Sequence, residues 1–144
     1  MEEARLRPGM NVLDENIIAS QREKLRQWGI PFRQIGHELA NRGAKDPQII
    51  LLLLRLKQPT FFTRDLDYFE SRLCHPDYCL AWLNVRPDDA ALFIRRFLSH
   101  PDFSTHLQRL GKVARVHSDG LEFWSWGQAR KLIREWPSMP RSFR

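Results

Sequence analysis

Cysteine is scarce. Cys74 and Cys79 are the only two among 144 residues, too few for a disulfide scaffold and in keeping with a reducing compartment. Long apolar runs are missing as well. The longest, Ile49 to Leu54, falls far short of a membrane span and is followed by Arg55. The opening MEEARLRPGM has no apolar stretch of the signal-peptide kind. The expectation is a cytoplasmic protein with no membrane partner. Neither of the phosphate-cradling loops, GxxxxGK[ST] and GxGxxG, occurs. Ser104, Ser118 and Ser125 stand in no nucleophile pattern. Cys74 and Cys79 bracket His75-Pro76-Asp77-Tyr78, but no second pair supplies the remaining ligands of a zinc module.

What is present is basic and of single-domain size. Lys plus Arg number 23 against 17 for Asp plus Glu, a formal charge of +6. The excess lies in the last quarter, with Arg109, Lys112, Arg115, Arg130, Lys131, Arg134, Arg141 and Arg144. A basic domain attracts polyanions, so nucleic acid leads the partner classes. The length predicts one domain over 1–144, large enough to fold without a metal or disulfide staple.

The apolar pattern alternates short runs with helical spacings. Met10 to Leu13 reads as a buried strand ending in Asp14-Glu15-Asn16, and Ile17, Ile18, Leu25 and Trp28 then lie at helical spacing before Gly29. Ile30 to Ile35 suits a second strand, and 36–45 a loop. Asp46-Pro47 opens a helix running to Lys57, with Asp46 at the N-cap; its centre is apolar nearly all round, which predicts burial. Thr60 to Thr63 reads as a strand, 68–73 as a short helix and Cys79 to Val85 as a strand. A helix follows from Pro87 to Leu98, and 103–110 is another helical stretch. Val113 to Val116 and Leu121 to Trp126 flank Ser118-Asp119-Gly120, the best hairpin signal in the chain. Arg130 to Trp136 is expected to be helical. Strands alternating with helices predict an α/β fold with right-handed crossovers, a mostly parallel central sheet and a C-terminal β-hairpin.

Ligands of an open parallel sheet sit beyond the carboxyl ends of its strands. Asp14 follows the first strand there, and Asp65 and Asp67 follow the third. Asp46 opens a crossover helix, which starts on that same side. Carboxylates crowded together raise one another's pKa unless a cation joins them, and Mg²⁺ or Mn²⁺ prefers oxygen ligands. Two such ions about 4 Å apart suit phosphodiester hydrolysis. Taken singly, each acid has a plainer role. Asp46 and Asp65 can cap helices, Asp14 can shape a turn and Glu15 can simply be solvated.

Val12-Leu13-Asp14-Glu15-Asn16, Asp46-Pro47-Gln48-Ile49 and Phe62-Thr63-Arg64-Asp65-Leu66-Asp67-Tyr68-Phe69 together resemble the PIN-like domains of the small LDEN…TRDxDF type, found as VapC-like toxins of toxin–antitoxin pairs. The resemblance covers about residues 10–98. One departure is Tyr68, which stands where the family motif has Phe. The resemblance implies a three-layer PIN-like sandwich with a core over 10–100; residues 101–144 extend beyond the usual domain as a C-terminal extension with the hairpin and the basic, aromatic tail. It further implies an endoribonuclease dependent on Mg²⁺ or Mn²⁺, with Asp14, Asp46, Asp65 and Asp67 as catalytic metal ligands. Glu15 and Asn16 would be supporting polar groups, and Arg64 and Arg86 would contact RNA. An antitoxin protein or a second copy of the chain would be a partner. The alternative is a non-catalytic PIN-like module that binds RNA or protein. The aromatic block Phe123-Trp124-Ser125-Trp126 with Trp136 suits packing, or an interface with such a partner.

Overall fold

A computed structural model describes residues 9–37, 39, 43 and 46–138. The chain runs β1 (Asn11–Leu13), α1 (Ala19–Gln27), β2 (Arg33–Gln34), α2 (Asp46–Arg55), β3 (Thr60–Thr63), β4 (Cys79–Leu83), α3 (Ala90–Ser99), α4 (His106–Arg109), β5 (Lys112–His117), β6 (Gly120–Ser125) and β7 (Leu132–Arg134). All seven strands form one sheet in the order β2-β1-β3-β4-β5-β6-β7. The first five are parallel, and β6 and β7 close the edge antiparallel.

Both faces of the sheet are covered, as its parallel strands require. The register makes this visible row by row. Leu13, Phe62, Ala81, Ala114 and Phe123 lie side by side across five strands and share one core with Leu25 of α1 and Phe93, Ile94 and Phe97 of α3. The neighbouring row, Val12, Phe61, Leu80, Val113 and Trp124, faces the other way and packs with Ile49 and Leu53 of α2. Gln21 ties the first layer together: almost fully buried, its Oε1 accepts the Ala91 N–H at the start of α3, at 2.9 Å.

Several expectations change. Residues 130–136 form no helix. Leu132–Arg134 pairs with Leu121–Phe123 as β7, because the open edge of β6 offers hydrogen bonds that outweigh a weak helical pattern. The hairpin is therefore no appendage: β5 also pairs with β4 and belongs to the parallel sheet. The segment expected as a helix over 68–73 is two single 3-10 turns, Leu66–Tyr68 and Ser71–Leu73. The second strand shrinks to Arg33–Gln34, and the helical stretch over 103–110 to α4. Helix α2 is not buried all round; Leu51 is 59% exposed and Leu54 is also exposed. The loop expected over 36–45 falls partly outside the described residues, as do Arg141 and Arg144.

Four cations of the basic last quarter are committed inside the fold. Arg109 is buried, donating to the Thr60 hydroxyl at 2.9 Å and the Phe103 carbonyl at 2.8 Å. Arg115 and Lys131 both pair with Glu122, and Arg134 pairs with Asp102 at 3.0 Å.

Phe97 is fully buried, edge-on to Phe62 and stacked on Phe103. Phe97→Ala is expected to cost about 3–5 kcal/mol of unfolding free energy in urea, whereas Ile133→Ala, 67% exposed on β7, should stay within about 0.5 kcal/mol.

Candidate metal centre

With strand order 2-1-3-4-5 the winding of the parallel sheet reverses between β1 and β3, and the crevice beyond their carboxyl ends is where such a sheet leaves room for a ligand. Asp14 follows β1 there. Its amide donates to the Phe62 carbonyl at 2.9 Å, extending the ladder by one residue. Arg64 and Asp65 follow β3. Asp46 begins α2, the helix that returns the chain towards β3, so it starts over the same edge.

Three of the four acids meet. Carboxylate oxygens of Asp46, Asp65 and Asp67 lie within 4.8 Å of one another. Asp65 and Asp67 are held by a local turn: Asp65 Oδ1 accepts the Asp67 N–H at 2.9 Å, so the capping role and the clustering coexist. Asp46 stands in the first turn of α2, and its Oδ1 accepts the Tyr68 hydroxyl at 2.8 Å. An all-oxygen set at this spacing fits a hard divalent cation better than a soft one.

Asp14 lies outside the trio. Both its oxygens are engaged, Oδ2 by the Thr63 hydroxyl at 2.6 Å and Oδ1 by the Glu15 N–H at 2.8 Å. The Thr63 hydroxyl also accepts the Asp65 N–H at 3.0 Å. One hydroxyl thus bridges Asp14 to the backbone of Asp65. Burial raises the Asp14 carboxyl above the ordinary range against those two hydrogen bonds, and the charges of Asp65 and Glu15 push the same way. The Tyr68 phenol is raised by its own burial first, then by its bond to Asp46 and the charges of Asp46, Asp14 and Asp65. It stays protonated and serves as a donor.

The supporting residues are placed variously. Glu15 Oε1 accepts the Gly43 N–H at 2.6 Å, and its side chain lies against Gly36, where φ is +86° and a Cβ would sit 3.0 Å from it. Asn16 Oδ1 accepts the Arg64 N–H at 3.3 Å. Arg64 turns away from the trio and donates from Nη2 to the Val85 carbonyl at 3.3 Å, while Arg86 is exposed just past β4. The sequence reading missed Thr63 and the part played by Tyr68. A polar residue closing an otherwise apolar strand was the available signal for the first, and Tyr in place of Phe for the second. On the α2 side, Asp46 and Asp67 border a cleft of about 610 Å³ that continues along Ile50, Leu51 and Leu73, which accounts for part of the exposed apolar surface of α2.

Cys79 is buried, and its thiol is pushed up to about 12 by that burial, so it is a poor nucleophile or metal ligand. Among the described residues no helix is long and apolar enough to cross a membrane. No family model matches the chain, and neither a curated protein nor a solved structure matches it.

Thr63→Val leaves the Asp14 carboxylate and the Asp65 amide without their shared partner. It is expected to cost about 1–3 kcal/mol in urea unfolding at neutral pH, and Thr63→Ser should recover most of the loss. Because the folded chain holds the Asp14 proton more tightly than the unfolded chain does, stability falls as pH rises through the raised value. Asp14→Asn removes that loss, so the stability of the variant relative to wild type should improve as pH rises from the ordinary Asp value, about 3.9, through the raised one; a constant difference would contradict the role of burial.

Proposed function

We propose that the protein is a metal-dependent ribonuclease of PIN-like type that hydrolyses RNA phosphodiester bonds. The observation that carries the reading is the convergence of Asp46, Asp65 and Asp67 at the β1–β3 reversal. Asp46 comes from a separate part of the chain and is brought to the Asp65–Asp67 turn by α2 and Tyr68, so three carboxylates share one edge. Asp46, Asp65 and Asp67 would hold Mg²⁺ or Mn²⁺. The chemistry such an ion supplies when bound is activation of water and stabilisation of the charge that develops on the phosphate oxygens.

The chain's own groups prepare that site. Tyr68 fixes the orientation of Asp46 by donating to its Oδ1. Thr63 holds Asp65 in place and carries the charge of Asp14 to the back of the cluster. Asp14 then acts as a positioning residue for the trio, a role distinct from the ligand role that the family resemblance implies. Arg64 and Arg86 are the candidate RNA contacts. The resemblance to VapC-like toxins suggests the toxin half of a toxin–antitoxin pair as the setting.

A second reading, a non-catalytic binding module, is favoured by one observation: Asp65 and Asp46 each already have a hydrogen-bonding task in the fold. Titration with Mn²⁺ and cleavage of a labelled single-stranded RNA separate the two. Wild type is expected to bind Mn²⁺ and cleave, and Asp46→Asn to lose both. Asp14→Asn should bind Mn²⁺ about 10–100-fold more weakly. No cation binding by wild type would favour the binding module.

A further inference from the structure

The carboxyl edge of the sheet has a second cleft, on its α3 side. It encloses about 530 Å³ between the ends of β3, β4 and β5 and the start of α3. Arg64, Asn84, Arg86, Asp89 and Ser118 line it over Phe93. Two guanidinium groups against one carboxylate leave it cationic, in contrast to the acidic cleft on the α2 side.

Arg64 has donors to spare. Nη2 reaches the Val85 carbonyl, but the buried Nε has no partner. A buried donor left unpaired is costly, so the fold leaves this guanidinium incompletely satisfied among the described residues. Asn84 is anchored from behind: with its amide turned so that the oxygen faces Arg115, it accepts from Nε at 3.0 Å and Nη2 at 2.9 Å. Arg115 is in turn paired with Glu122 of β6. Ser118 sits in the β5–β6 turn, so the hairpin over 112–125 completes a wall of the cleft.

We propose that this cleft is a phosphate subsite for single-stranded RNA, which holds the backbone without a metal ion. The proposal rests on the nucleic-acid reading of the adjoining carboxylates. A guanidinium fork matches a phosphate in shape and charge. Arg64 and Asp65 are consecutive, their Cα atoms about 3.8 Å apart, yet they serve opposite sides of the sheet edge. A polyanion crossing that edge meets the cationic cleft on one side and the carboxylates on the other. The carboxylates alone would repel it, so an anchor outside their reach is what RNA needs before a metal joins. With Arg109 buried and Arg115, Lys131, Arg134 and Arg72 ion-paired, Arg64 and Arg86 line this cleft without a salt bridge among the described residues.

The test is binding of a fluorescein-labelled oligouridylate to the full chain in EDTA, followed by anisotropy over a range of KCl. Arg86→Gln is expected to weaken binding about fivefold and to lower the salt slope by about 0.7, the share of one phosphate on a single strand. Arg64→Gln should do the same, and the double variant should lose both increments. Arg72→Gln, on the α2 side and paired with Glu70, should bind as wild type does. Since Arg86 is exposed, its variant is expected to fold. Unchanged affinity and slope in Arg86→Gln and Arg64→Gln would overturn the proposal. So would Arg-dependent binding of an oligoglutamate by a chain that ignores the RNA, which would give the cleft to an acidic protein. Binding in EDTA does not depend on catalysis. Arg-dependent binding without metal-dependent cleavage would sink the nuclease reading and keep the subsite, whereas cleavage with Arg-independent binding would do the reverse.

Discussion

The hydrogen bond from the Asp14 amide to the Phe62 carbonyl carries the β1–β3 ladder one residue past β1 itself. Parallel pairing at this place fixes the relative height of the two strands, and with it the distance from Asp14 to Thr63. The Thr63 hydroxyl can then touch Asp14 with its proton and the Asp65 amide with its lone pair. From Asp65 a turn delivers Asp67 and Tyr68, and Tyr68 reaches across to Asp46 on α2. The carboxylate cluster is thus a chain of short-range contacts hung from one backbone pairing. Beneath it lies a buried row of Leu13, Phe62, Ala81, Ala114 and Phe123, which no polar contact at the rim has to hold in register.

The arrangement concentrates like charge and leaves it partly uncompensated. Burial first, and the neighbouring charges after it, make Asp14 hold its proton more tightly and keep Tyr68 a neutral donor. Asp46, Asp65 and Asp67 are open enough to solvent to stay together in its high dielectric. Buried acid behind and accessible acids in front make a graded site. The rear group sets position, and the front groups are free to take a ligand.

Much of this was legible in the sequence. Strands β1, β3 and β4 are short apolar runs bounded by polar residues, and the β5–β6 hairpin has its turn residues in view. The crossover argument put Asp46 over the same edge as Asp65 and Asp67, where it lies. Legibility failed where a contact outside the local segment decided. Arg130 to Trp136 became β7 because β6 left an edge to fill. Apolarity around α2 suggested burial, but a helix on the flank of a sheet has only one side against it, and Leu51 stays outside. Four cations of the last quarter, Arg109, Arg115, Lys131 and Arg134, looked like part of a basic face in sequence and proved to be partners of Glu122, Asp102 and buried acceptors. The bridging role of Thr63 depends on a residue 49 positions away, beyond any local pattern.

Alternation along β3 has a further meaning. Successive side chains of a strand point to opposite faces, so the dipeptide Arg64-Asp65 at its end acts as a two-way valve for charge, sending the cation to one side of the sheet and the anion to the other. Parity starts the separation, and the Thr63 hydroxyl and the turn to Asp67 hold Asp65 on its side. Insertion of a single residue into Thr60–Thr63 would leave the composition almost unchanged but exchange the two outlets, turning an edge polarised from α3 to α2 into one polarised the other way.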